Sequence, residues 1–204
     1  SKNDSILEIG CGPGTQTKVV SERCKKLTAV DISKKMVNEA EKYCKSKNIY
    51  FIRKDFMKLR FNQKFDKIFA VRSIEYIKDK SGLLRKVSSL LKSNGSIVLI
   101  TKNKPCLWDA MKREKNFWQD KISPKNLKEL CEKTGFSNVV IKPIIIRVPL
   151  FANGNREFPI INKKHEQLAL KFFNRVLEKA IKNENHQNLF FLMAESYLLY
   201  AEKC

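Results

Sequence analysis

Apolar residues fall into short dense runs, separated by longer stretches in which they recur every three or four positions. The runs predict strands over 5–10, 26–30, 49–52, 65–71, 96–100, 139–148 and 197–201. Ser96-Ile97-Val98-Leu99-Ile100 is almost continuously apolar, as a strand covered on both faces should be. Pro143 lies inside the sixth run and cannot donate to a ladder, so that run belongs at a sheet edge. The periodic stretches predict helices. Met36, Val37, Ala40, Tyr43 and Cys44 form one stripe, opened by Ser33 as a cap and closed by Asn48. Leu83, Leu84, Val87, Leu90 and Leu91 form another over 79–91, stopped by Lys92 and the turn Ser93-Asn94-Gly95. Ser123-Pro124 starts a third, with Leu127, Leu130 and Cys131 inward and Gly135 as its end. A further helix over 166–183 keeps the period through Leu168, Phe172, Val176 and Ala180. The segment 151–164, with Gly154 and Pro159, reads as a connecting loop.

Strands alternating with helices predict an α/β fold with a doubly wound, mostly parallel sheet and helices on both faces. Such a sheet holds its ligands at the C-terminal ends of its strands. The first of those ends carries the densest chemistry of the chain: Glu8-Ile9-Gly10-Cys11-Gly12-Pro13-Gly14-Thr15, leading into a helix over 14–23. Closely spaced glycines let backbone approach a ligand without a Cβ in the way, and the following helix turns its amides toward what the loop holds. A dinucleotide loop needs its third glycine where Thr15 stands, which disfavours an NAD-dependent dehydrogenase. The second strand end is Asp31, about twenty residues beyond Gly10, placed either to accept from ribose hydroxyls or to cap the next helix. The third is Asp55-Phe56, either a carboxylate and an aromatic for a base or a loop Asp and a core Phe. Arg72 follows the fourth strand.

The E-x-G-x-G-x-G run, with Asp31, Asp55 and the Phe65-Asp66 opening of the fourth strand, resembles the class I S-adenosylmethionine-dependent methyltransferases. The resemblance covers nearly the whole chain and is strongest over 5–102. It implies one domain over 1–204 with a Rossmann-like seven-stranded sheet, the last strand antiparallel between the fifth and sixth. It implies S-adenosylmethionine as cofactor and S-adenosylhomocysteine as product. It assigns Glu8, Gly10, Cys11, Gly12, Gly14, Asp31, Ile32, Asp55, Phe56 and Arg72 to the cofactor side, Arg72 through its backbone. Tyr76 and Trp108 are candidate walls of the acceptor pocket, and 105–120 and 149–188 are candidate lid or substrate-side elements. Trp108 and Trp118 serve either that lid or the anchoring of a helix to the core. Many small-molecule members carry Glu-His where this chain has Glu75-Tyr76, so no catalytic base carries over. The absence of an Asn-Pro-Pro-Tyr motif argues against nucleobase amino methylation by that route. Methyl transfer from a sulfonium needs alignment more than a base, so no catalytic residue is assigned. The resemblance favours a small-molecule acceptor, with an RNA or tRNA methyltransferase and a non-catalytic cofactor-binding module as the alternatives.

Charge enlarges the choice of partner. The 204 residues hold 41 Lys+Arg against 21 Asp+Glu, a net charge of +20. That balance fits RNA, but the basic residues are spread along the chain, as on solvated faces, and not gathered in one tract. The six cysteines contain no C-x-x-C pair and the two histidines, His165 and His186, lie far from the glycine loop, so no metal site is expected. Cysteines placed as small hydrophobes point to a reducing, cytoplasmic setting. No apolar run reaches the roughly 18 residues of a membrane span. The chain starts at Ser1, a few residues before its first strand, and an N-terminal segment carrying covering helices is expected to precede it.

Overall fold

The computed structural model describes residues 1–104, 120–146 and 194–204. The helix expected over 166–183, the loop 151–164, the elements 149–188 and 105–120, Trp108 and Trp118 lie mostly or wholly outside the described residues.

Seven strands form one sheet: β1 (Ser5–Ile9), β2 (Lys26–Asp31), β3 (Ile49–Arg53), β4 (Phe65–Val71), β5 (Leu91–Lys102), β6 (Phe136–Ile146) and β7 (Ala194–Lys203). Their order is β3-β2-β1-β4-β5-β7-β6. The first five are parallel, and β7 runs antiparallel to both β5 and β6. The expected architecture is therefore the observed one. Pro143 sits on edge strand β6, paired only with β7, opposite Tyr197.

Side-chain alternation builds the layers. Leu7, Ile9 and Val30 face a main core with Leu83, Leu84 and Val87 of helix α3 (Lys80–Leu90) and Leu127 and Cys131 of α4 (Pro124–Lys133). Ile6, Leu27 and Ala29 turn to the opposite face, where α1 (Thr15–Ser21) and α2 (Lys34–Tyr43) lie. The α2 and α4 caps are as expected: Ser33 Oγ accepts from Met36 N at 3.4 Å and Ser123 Oγ from Asn126 N at 3.1 Å. Helix α2 ends sooner than its stripe, at Tyr43, because Cys44 takes an extended conformation.

Strand β5 departs most from expectation. It begins at Leu91, five residues early, because Leu91 pairs with Phe65 before the register shifts and resumes at Lys67 and Ser96. The residues expected as a turn form that irregularity, with Asn94 at φ 60°.

Candidate cofactor site

Five strand ends meet at one edge of the sheet, around the point where β1 lies between β2 and β4. There the chain leaves β1 in opposite directions on either side, which opens a crevice. The glycine loop fills its floor. Gly10 N and Cys11 N both donate to Val30 O, at 2.7 and 3.0 Å, and Gly14 N donates to Cys11 O at 3.1 Å. These bonds tie the loop to β2 and close it on itself.

Two glycines have separate reasons to be glycine. Gly10, at φ 75°, lies against the turn after β4, and a Cβ there would stand 2.3 Å from Ser73 Cβ. Ser73 Oγ also donates to Ile9 O, so the loop leans on that turn through both backbone and side chain. Gly12, at φ 53°, faces open space: a Cβ there would meet no atom within 4 Å. The first glycine serves the packing of the protein on itself; the second leaves its backbone bare toward open space.

Glu8 lies beneath the loop, 1% exposed, and accepts from Thr17 Oγ1 of α1 at 2.6 Å. Burial pushes its carboxyl up to about 7, against the opposing effect of Thr17 and with a smaller contribution from the Asp31 charge. Asp31 closes β2. Its Oδ2 accepts from Gly12 N and its Oδ1 from Ser33 N, each at 2.9 Å. The cap of α2 is Ser33, so Asp31 organises the glycine loop instead, and each carboxylate oxygen keeps acceptor capacity for another donor. Ile32, next to it, is 71% exposed. Asp55 opens a 3-10 turn, Phe56–Lys58, with Oδ1 accepting from Met57 N at 2.9 Å.

Two residues expected on the ligand side point their side chains elsewhere. Phe56 is buried in the main core, 6.4 Å from the Phe61 ring centroid and under Lys86 Nζ at 4.8 Å. Its ring packs as a core phenylalanine, the alternative open in the sequence, because the 3-10 turn rotates it under the sheet edge. Cys11 packs with Ala29 and Ala40, and burial pushes its thiol up to about 12; only its backbone belongs to the loop. Gly14 contributes its carbonyl, which accepts from Cys44 Sγ at 3.3 Å.

Arg72 has φ 54°, unusual for a residue with a side chain. Its N–H donates to Ile100 O at 2.8 Å, and its guanidinium turns toward β7, donating to Ser196 Oγ and lying 3.6 Å from Glu75 Oε1 and 3.9 Å from Glu195 Oε1. The side chain is thus engaged by the protein, and the left-handed backbone leads into the Ser73 turn on which Gly10 packs. Glu75 is buried; its Oε1 accepts from Lys102 N at 2.9 Å and its carbonyl from Asp120 N at 2.8 Å. Tyr76 is 54% exposed on the same short turn.

Sequence reasoning missed Thr17, Ser73 and Lys86. Lys86 Nζ donates to the carbonyls of Phe56, Met57 and Leu59 at 2.6, 3.0 and 2.5 Å, fixing the turn that carries Asp55. None of these contacts follows a sequence period. The S-I-E-Y segment did hold a signal, since a Ser and a Glu directly after a buried strand must satisfy their polar atoms nearby. Among the described residues no group of His, Cys, Asp and Glu could hold a metal ion. No helix among them is long and apolar enough to cross a membrane.

Residues 6–95 match the model of a methyltransferase domain. Ribosomal RNA small subunit methyltransferase A of Mesomycoplasma hyopneumoniae (strain 232) is 33% identical over 102 residues, which is 50% of this chain and 39% of the relative. A malonyl-[acyl-carrier protein] O-methyltransferase of Acetivibrio thermocellus is 31% identical over 98 residues, 47% of this chain and 35% of the relative. The chain thus spans well under half the length of these curated relatives. The N-methyltransferase NodS from Bradyrhizobium japonicum WM9, solved in complex with S-adenosylhomocysteine, shares the fold with a TM-score of 0.63 at 14% identity, over 98% of this chain and 78% of that one. The matched domain runs from β1 into β5, the part of the sheet that carries the glycine loop and both aspartates, so over residues 6–95 the chain is similar to methyltransferases in sequence, and over nearly its whole length it shares their fold.

Proposed function

We propose that the chain transfers the methyl group of S-adenosylmethionine to a small-molecule acceptor. The observation that carries this reading is the bare backbone at Gly12, held open toward the crevice by the Asp31 carboxylate. A Cβ-free approach beside an acceptor-rich carboxylate fits a ligand that presents ribose hydroxyls. In this reading Gly10, Gly12, Gly14 and the Cys11 backbone line the cofactor, and Asp31 accepts from its ribose. Ile32 packs on the adenine with its exposed side chain, Asp55 accepts from the adenine amino group, and the backbone of Phe56 and Arg72 completes the rim. Glu8 supports the loop from below. When bound, the cofactor supplies a methyl already activated by a sulfonium, which an acceptor displaces in line. The chain's own part is to hold acceptor and cofactor in register and to keep water out.

Isothermal titration with S-adenosylhomocysteine and with NAD tests the cofactor. Binding of NAD alone would overturn the reading. Turnover is tested by S-adenosylhomocysteine release with pooled small-molecule acceptors, and tight binding without release from any pool would favour a non-catalytic module.

A second reading, methylation of RNA, draws on the net charge of +20 and on a relative named as a ribosomal RNA methyltransferase that aligns over 89% of this chain at 24% identity. Phosphate contacts make such binding fall steeply with salt. A chain that ignores RNA at 50 mM salt excludes it.

A further inference from the structure

Beside the crevice, on the β5 side of the Arg72 turn, lies a cavity of about 460 Å³ lined by Lys80, Lys104, Asp120, Lys121, Ser123 and Asn126. It shares the C-terminal side of the sheet with the cofactor site: Lys80 follows β4 at the start of α3, Lys104 follows β5, and Ser123 opens α4. The two sites touch through a single short turn. Asp120 N donates to the carbonyl of Glu75, and Lys80 Nζ donates to the carbonyl of Ile77, one residue beyond the turn that holds Tyr76.

The walls are positive. Asp120 is the one carboxylate among the lining residues, and Lys80 already meets it at 3.0 Å. Lys80 is itself buried, while the Asp120 side chain is 42% exposed, so the pair sits in the wall with its carboxylate open to solvent. Lys104 adds a further positive charge to the lining, and Lys121, which has an interaction of its own within the chain, is a third lysine there. Helix α4 opens at the cavity, its Asn126 amide capped by Ser123 Oγ, with Asn126 on the lining as a neutral polar residue. Cavity, charge and position agree on one chemistry.

We propose that this cavity takes an anionic group, a carboxylate or a phosphate, carried by the methyl acceptor. The inference rests on the methyltransferase reading and deepens it by naming the acceptor's class. An acceptor anchored there would reach back past Tyr76 toward the crevice, so that the anion sets register and the aromatic forms the wall between anchor and reacting atom.

The test uses the full chain at constant ionic strength, with and without S-adenosylhomocysteine. Inorganic phosphate and malonate are titrated separately by calorimetry. The expected result is one-to-one binding of at least one of them, weakened about tenfold by Lys104→Glu and by Lys121→Glu. Lys64→Glu, beside a second cavity lined by Phe61 and Leu90, should change nothing. Phosphate binding alone marks a phosphate-bearing acceptor, and malonate binding alone a carboxylate-bearing one; either supports the proposal. No binding of either, or binding that both charge reversals leave within twofold, overturns it. Anion binding without S-adenosylhomocysteine binding would keep this site and remove the cofactor reading. The opposite pattern would keep the cofactor and remove this site.

Discussion

Gly10 and Ser73 touch, and the contact leaves no room for even one more carbon: a Cβ on Gly10 would stand 2.3 Å from Ser73 Cβ. Gly10→Ala should therefore destabilise the fold. The left-handed backbone at φ 75° and the overlap together cost about 2 to 4 kcal/mol. Urea unfolding reads this directly, and an unchanged midpoint would mean that the turn after β4 yields freely.

Gly12 should behave in the opposite way. Nothing lies within 4 Å of a Cβ there, so Gly12→Val loses only about 1 to 2 kcal/mol from its left-handed backbone. Its S-adenosylhomocysteine binding should vanish, because the side chain enters the crevice. A folded Gly12→Val variant that binds like the parent would place the cofactor elsewhere.

Asp31→Ala should weaken S-adenosylhomocysteine binding by about 1 to 2 kcal/mol, the scale of a charge-assisted hydrogen bond lost in exchange for water. The side chain also accepts from Gly12 N and Ser33 N, so the unbound loop should loosen too. Faster amide exchange at Gly12 would register that second effect. An unchanged dissociation constant would confine Asp31 to organising the loop.

Glu8 gives the fold a pH dependence of definite sign. Its carboxyl is raised from 4.5 to about 7 by burial. Between those values the folded chain keeps a proton that the unfolded chain has released, so this group's contribution is fully present below pH 4.5 and is lost as pH rises through 7. The loss is on the order of 3 kcal/mol. Glu8→Gln keeps an acceptor for Thr17 Oγ1 and cannot ionise, so its stability should fall less between pH 5 and 8. Parallel curves for the two proteins would show that Glu8 is ionised in the fold at pH 5.

What the sequence made legible was what depends on spacing. The strands and the helix starts follow from apolar runs and caps, and Pro143 alone was enough to put β6 at an edge. The glycine loop, Asp31 and Asp55 could be placed at strand ends because each directly follows an apolar run. What stayed hidden depends on three-dimensional contact. Asn94 and Gly95 read as a turn, yet pairing between Leu91 and Phe65 carries the strand across them. Phe56 and Cys11 sit beside ligand-facing neighbours in the chain but point into cores, since one residue's step reverses direction at a turn or loop. Ser73, Thr17 and Lys86 act on partners 64, 9 and 27 to 30 residues away, beyond any local pattern.

Strand β7 fills the space between β5 and β6, although both precede it in the chain by many residues. On a ribosome, β5 therefore emerges with β4 on one side and no described strand on the other. It keeps an open apolar edge until Ala194–Lys203 follows, and β6 has no described strand to pair with before then. The parallel half of the sheet, with the glycine loop and both aspartates, can assemble early. The antiparallel half closes late, which makes the interval between them the stage at which nascent chains are most exposed to one another and to chaperones.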